Sequence, residues 1–300
     1  MKEYQVAGHE PSLLPDGKNF RLAWADEFDG TELDRSKWEF RLSMMGKRWK
    51  SWTDSEKALY LDGNSNAVFR LIEDETDGHL CFAHLQTGAN YMDEPVEEFA
   101  SDQGDGASVT KDDMHWKLGR IHEQKKLFLY GYFECRARLQ QLPGWWSAFW
   151  MQSPMIGATL DPHLSGSEVD IMESFRPGTM NWNNIFTGGY GKQMRRQKLG
   201  PSLRDLDKSV YHRFGLLWEK DRYTFYVDGE KTYETTEDIS AVPEFLLIST
   251  EVYGYRKKAD VPGAKQGYYH TTADHVPVQE AYGSVGDAFL VDYVRVFEFD

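Results

Sequence analysis

Alternation of apolar and polar positions dominates the chain. In Tyr130–Leu139 (YGYFECRARL) the residues Phe133, Cys135, Ala137 and Leu139 fall on one face, and Tyr132, Glu134, Arg136 and Arg138 on the other. That period of two predicts a strand with one buried and one solvated face. Phe214–Trp218 and Tyr223–Val227 predict two more strands, Asp228-Gly229 a tight hairpin turn, and Lys231–Tyr233 its return strand. Phe245–Val252 (FLLISTEV) and Phe289–Phe299 (FLVDYVRVFEF) read the same way. Many short strands divided by turn signals predict an all-β, two-sheet sandwich or barrel. With neither an internal repeat nor a Pro/Gly/Ser linker, residues 1–300 are expected to form a single domain. Two stretches interrupt the rhythm. Within 88–116, Met92–Asp113 carries eight acidic residues and reads as a solvated excursion, while 254–286 is rich in Gly, Tyr, Lys and His. Loops of that length are usually functional or disordered, and the second is expected to border a binding site.

Composition narrows the classes. The net charge is −14 and aromatic residues make up 14% of the chain. The negative balance argues against nucleic acid and anionic membrane surfaces as partners, because their phosphates call for a basic footprint. Uncharged ligands tolerate an acidic protein, and abundant rings suit partners bound by flat stacking. No apolar run reaches the roughly 18–20 residues needed to span a bilayer. The first residues, MKEYQVAGHEPSLLP, contain no apolar stretch of signal-peptide type, so a cytoplasmic location is expected if this is the whole protein. Cys81 and Cys135 both sit in apolar runs and read as buried thiols, without a metal-binding spacing.

The sharpest motif is Ser167-Glu168-Val169-Asp170-Ile171-Met172-Glu173-Ser174. Strand geometry puts Glu168 and Asp170 on one face, with Val169 and Ile171 pointing into the core. Glu173 would then fall on the buried face, where an unpaired carboxylate is costly. A β-bulge at Ile171-Met172 resolves the conflict by turning Glu173 onto the face of the other two acids. Retaining glycoside hydrolysis needs two carboxyl groups about 5–5.5 Å apart, one nucleophile and one acid/base. A third acid between them can push their pKa values apart. An exposed acidic strand edge, or a site for a hard cation, would account for the same residues. Upstream, Pro143–Gln152 (PGWWSAFWMQ) places Trp146, Ala148, Trp150 and Gln152 on one face, with four large rings in six residues. Core packing is the ordinary account of a strand Trp, yet here both faces carry rings and one is expected to wall a cleft.

At this point the chain resembles glycoside hydrolase family 16, retaining endo-β-glycanases with a concanavalin-like β-jelly roll. The family's bulged Glu-x-Asp-x-x-Glu pattern is matched by Glu168, Asp170 and Glu173. Trp24–Gly30 with Leu33-Asp34 and Lys37-Trp38 is similar to its N-terminal signature, and Tyr130–Arg136 to the strand before its Trp-rich segment. Trp218 with Phe225–Gly229 and Val291–Phe297 resembles its later hairpin and closing strand. The resemblance implies Glu168 as nucleophile, Glu173 as acid/base and Asp170 as the helper that tunes Glu168. It implies sugar contacts at Glu134 and Arg136, and cleft positions for Trp146, Trp150, Gln152, Ser249 and Glu251. Glu27 and Asp292 resemble positions that hold a structural calcium ion in many relatives. No organic cofactor is implied, and a monomer acting on a polysaccharide or oligosaccharide is expected. Relatives are mostly exported. One departure concerns the His that many bulged members carry shortly after the acid/base, where this chain has Phe186. The implied substrate is a β-1,3-type glucan; galactose-containing chains, a transglycosylase or a non-enzymatic lectin-like module are the alternatives.

Overall fold

A computed structural model of the protein describes residues 1–44, 47–48, 51–90, 93, 124–175, 179–189, 193–200, 203–204, 207–252 and 281–300. Of the two predicted loops, 94–116 and 254–280 lie outside these residues. The described chain is a β-jelly roll of two antiparallel sheets. The cleft sheet runs, in spatial order, Arg195–Lys198, Thr179–Thr187, Glu168–Ser174, Trp145–Gln152, Phe245–Val252, His84–Gln86 and Glu39–Phe40. The outer sheet runs Glu230–Thr235, Tyr223–Val227, His212–Trp218, Gly131–Arg138, Phe289–Phe299, Ala67–Phe69 and Leu59–Leu61, with Phe20–Asp26 also paired to Phe289–Phe299. The hairpin turn predicted at Asp228-Gly229 is present, with both residues at positive φ (49° and 82°), the geometry that twists with the flanking strands.

One core lies between the sheets. Phe133, Cys135, Ala137 and Leu139 of the outer sheet meet Phe149, Met151, Val169, Ile171, Ile185, Leu246 and Ile248 of the cleft sheet, all buried in a single cluster. Removing a ring from such a site costs about 3–5 kcal/mol, so this layer fixes the inward register of every strand it touches. The opposite face of the outer sheet, read as solvated from its polar alternation, is covered instead. A hairpin of Lys2–Tyr4 and Ser12–Leu14 lies over it, and Leu14, Tyr132, Leu217 and Phe297 form a second apolar cluster there. With both faces of that sheet committed to packing, the chemistry falls to the free face of the cleft sheet.

Candidate active site

The bulge expected at Ile171-Met172 is present. Across Trp145–Gln152, Ala148 pairs with Glu173, Phe149 with Met172, Trp150 with Asp170 and Gln152 with Glu168, which leaves Ile171 as the extra residue. Ile171 and Met172 both enter the core. Glu168, Asp170 and Glu173 therefore share the cleft face of the sheet. On the other side, Asn184 lies opposite Asp170 and Trp182 opposite Glu173. Between them Asn183, fully buried, turns its amide on the bulge itself. Its Nδ2 donates to the carbonyls of Asp170 (3.1 Å) and Ile171 (2.7 Å). A bulge interrupts the ladder, and buried carbonyls without partners are costly, so this side chain supplies what the neighbouring strand cannot.

Glu173 is 4% exposed and is held by two donors. The indole N–H of Trp146 donates to Oε1 at 2.9 Å, and the amide of Asn184 donates to Oε2. Arg196 fixes Asn184 in turn, its Nε and Nη2 donating to Oδ1 at 3.1 and 2.8 Å, while its guanidinium lies 4.9 Å from the ring centre of Phe186. Burial raises the pKa of Glu173 to about 7, with the charge of Glu168 adding to it and Arg196, Trp146 and Asn184 opposing. Asp170 is pushed well above the usual carboxylate range, first by burial and then by the charges of Glu173 and Glu168. Burial and mutual repulsion thus favour the protonated forms of Asp170 and Glu173 beside a third acid, the kind of division that acid/base chemistry requires. Trp146, Phe175 and Trp182 form a small aromatic wall beside Glu173, with Phe175 and Trp182 stacked at 5.7 Å.

Glu168 is held from the other end. The Nε2 of Gln152 donates to its Oε2 at 3.1 Å, and the Oε1 of Gln152 accepts from Arg41 (3.0 Å) and Asn90 (2.6 Å). Arg41, itself buried, ion-pairs with Asp93 at 2.7 Å. Gln152 was expected to touch sugar. It is fully buried and orients Glu168 instead. Trp150 is half-buried on the cleft face, its indole N–H donating to Ser249 Oγ at 3.0 Å, so buried Ser249 sets the angle of that ring. Glu251 is half-buried and pairs across the strands with Trp146.

The expected sugar contacts at Glu134 and Arg136 are overturned by their position. Both belong to the outer sheet, on the face away from the core. Glu134 is fully buried beneath the N-terminal hairpin, accepting from Leu13 N–H (3.1 Å) and the Tyr293 hydroxyl (2.7 Å). Arg136 donates to Asp292 at 2.5 Å. The calcium expectation fails on the same face. Both carboxylate oxygens of Glu27 accept from the buried guanidinium of Arg295, at 2.8 and 2.7 Å, and Asp292 is bound to Arg136. Each acid already neutralises an arginine, so a divalent ion there would meet two fixed cations, and these residues do not fit a calcium site. His212 packs at the start of its strand between Asp228 (2.6 Å) and the Asp207 carbonyl (2.8 Å).

Known proteins bear on this geometry directly. The family model "Glycosyl hydrolases family 16" matches residues 90–267, more than half of the chain. The chain belongs to that family. It is 26% identical over 226 residues to glucan endo-1,3-beta-glucosidase A1 of Niallia circulans, covering 72% of this chain but only 29% of that relative. It is 24% identical over 298 residues to the beta-glucanase of Rhodothermus marinus, covering 94% of this chain and 86% of the relative. Among solved structures, a non-specific endo-beta-1,3(4)-glucanase matches with a TM-score of 0.62 at 21% identity, over 97% of this chain and 95% of that one. An endo-beta-1,3-glucanase from Pyrococcus furiosus matches at 0.57 and 22%, over 95% and 97%. At these identities the structural likeness establishes the jelly-roll fold of the family 16 chain.

Proposed function

We propose that the chain hydrolyses internal linkages of a β-1,3 or mixed β-1,3/1,4 glucan with retention of configuration. The observation that carries this reading is the bulged strand, which aligns Glu168, Asp170 and Glu173 on one face while raising Glu173 to about 7. Protonated Glu173 gives its proton to the glycosidic oxygen as the bond to the anomeric carbon breaks, and Glu168 attacks that carbon. Glu173, now a carboxylate, takes a proton from water, which attacks the glycosyl-enzyme and releases Glu168. Asp170 stays protonated between the two glutamates and tempers their mutual repulsion. Trp146 and Trp150 offer flat faces to sugar rings. The glucan assignment rests on what relatives are named for, the glucan endo-1,3-beta-glucosidase and beta-glucanase above. A keratan-sulfate endo-1,4-beta-galactosidase of Sphingobacterium multivorum, 24% identical over 93% of the chain, makes galactose-containing chains the necessary control.

The test is reducing-sugar release from laminarin, mixed-linkage glucan, agarose and keratan-type chains. Laminarin or mixed-linkage glucan is expected to be cut internally, and turnover by the Glu168→Gln variant to fall at least about a thousandfold, the scale of losing a nucleophile. Glu173→Ala should recover far more activity on an aryl glycoside with a good leaving group than on polysaccharide. Wild-type turnover by either variant on polysaccharide would sink the assignment. Cleavage confined to agarose or keratan chains would move the substrate to galactans.

A further inference from the structure

Away from both main sheets, the hairpin of Ile72–Glu73 and Leu80–Cys81 gathers three side chains of metal-ligand type. Asp74, His79 and Cys81 bring a carboxylate oxygen, an imidazole nitrogen and the thiol sulfur within 4.8 Å of one another. The local chain enforces this. Gly78 N–H donates to the Asp74 carbonyl at 2.8 Å, and Asp74 N–H to the His79 carbonyl at 2.8 Å. The turn so closed sets Asp74 at the mouth of the hairpin, while His79 and Cys81, two residues apart, share a strand face. The sulfur of Cys81 lies 3.2 Å from Nε2 of His79. Around a tetrahedral zinc ion, bonds of about 2.3 Å to sulfur and 2.0–2.1 Å to nitrogen set those two atoms roughly 3.5 Å apart, a small adjustment from the distance seen.

A second observation concerns the other imidazole nitrogen. Nδ1 of His79 contacts the carboxylate of Asp77. Such a carboxylate keeps the proton on Nδ1 and turns the lone pair of Nε2 toward the sulfur, as it does behind metal-bound histidines. The contact between Nε2 and Sγ would then share the thiol proton, which is the proton a metal displaces. His79 and Cys81 are buried and Asp74 is half-buried, so one side of the trio is open to an entering ion. A thiol in the set disfavours calcium and magnesium, which take oxygen ligands, and selects softer ions.

We propose that Asp74, His79 and Cys81 bind one zinc ion, with Asp77 orienting His79. Thiolate and carboxylate together balance the charge of the ion, and the site clips the two ends of the hairpin. Because the residues lie outside the cleft, the ion stabilises the fold and takes no part in hydrolysis.

The test uses the full chain, freed of metal by a chelator and then titrated with Zn²⁺ and, separately, Co²⁺. One equivalent of each is expected to bind. Co²⁺ should give a thiolate-to-metal charge-transfer band and the visible bands of a tetrahedral ion, and Zn²⁺ should raise Tm in proportion to the logarithm of its concentration. Cys81→Ser should abolish the charge-transfer band, whereas Cys135→Ala should retain it. Asp77→Asn should weaken binding by about 10–100-fold. If Cys81→Ser does not fold, His79→Gln serves in its place and is expected to lose tetrahedral binding. Failure of the wild type to retain zinc, or a cobalt spectrum without a thiolate band, overturns the proposal. So does a spectrum that His79→Gln leaves unchanged.

Discussion

Glu173 is where opposing forces on one proton can be read separately. Burial lifts its pKa to about 7, and the indole of Trp146 and the amide of Asn184 pull in the other direction because they donate to the charged form. An acid that must be protonated to act loses activity as pH rises through its pKa, so the alkaline limb of kcat/KM is expected near pH 7. Trp146→Phe keeps a ring and removes the donor. A hydrogen bond to a charged group contributes about 1.5–3 kcal/mol, and 1.36 kcal/mol corresponds to one pH unit. The limb should therefore move up by about one to two units, as measured in the pH profile of kcat/KM on a soluble glucan. A limb that stays put or moves down would show that Trp146 does not tune the acid. The same environment bears on Phe186, which stands where many bulged family members carry a His. Asn184, braced by Arg196 across the ring of Phe186, supplies the polar contact to Glu173.

The bulge is the element that turns a strand into a candidate site, and Asn183 maintains it. Its amide serves two backbone carbonyls that the irregular ladder leaves to it. Asn183→Ala removes both bonds within a dry layer, for a loss of about 2–4 kcal/mol of stability. The strand is then free to relax toward regular pairing, which would swing Glu173 off the face of Glu168. A drop in kcat of at least about tenfold with little change in KM is expected, measured well below the unfolding transition so that every molecule is folded. A stability loss with kcat unchanged would reduce Asn183 to a packing residue. The bulge itself was legible in the sequence, since three acids interleaved with Val, Ile and Met cannot all be solvated on a regular strand. Asn183 was not, because its partners are main-chain atoms whose need arises only once the bulge exists. Arg41 and Asp93 were equally hidden: they meet across 52 positions, and nothing local marks either one.

At the scale of the whole molecule, alternation revealed the longer strands of the chain's middle and end and their inward faces, because side-chain direction depends only on neighbours two residues away, while short strands such as Glu39–Phe40, Leu59–Leu61 and His84–Gln86 carry too few positions to show a period. It could not reveal that the N-terminal hairpin covers the outer sheet, so the solvated face it gave Glu134 and Arg136 agreed with sugar contacts that the resemblance implied and the structure does not support. That cover is a long-range contact between the chain's start and its middle. Glu244 is a further case, at the place where the two sheets are tied together. Its backbone bridges to Phe128, ahead of the outer-sheet strand Gly131–Arg138, and its side chain accepts from Ser167 N–H at 2.9 Å, at the entry to the bulged strand Glu168–Ser174. It is fully buried, and burial raises its pKa to about 8, with the charge of Glu168 adding to the rise. A carboxyl group whose folded pKa exceeds its unfolded value of 4.5 favours the folded state fully below that value. The benefit is lost progressively as pH rises toward about 8, where the folded protein must ionise a buried group. Glu244→Gln imitates the protonated form at every pH. The variant should therefore match the wild type near pH 4, then gain on it through the interval up to pH 8, by on the order of a few kcal/mol. Urea unfolding of the two proteins at a series of pH values measures the difference directly. A constant gap would show that Glu244 keeps one charge state throughout, and a gap that narrows with rising pH would reverse the sign argued for its burial.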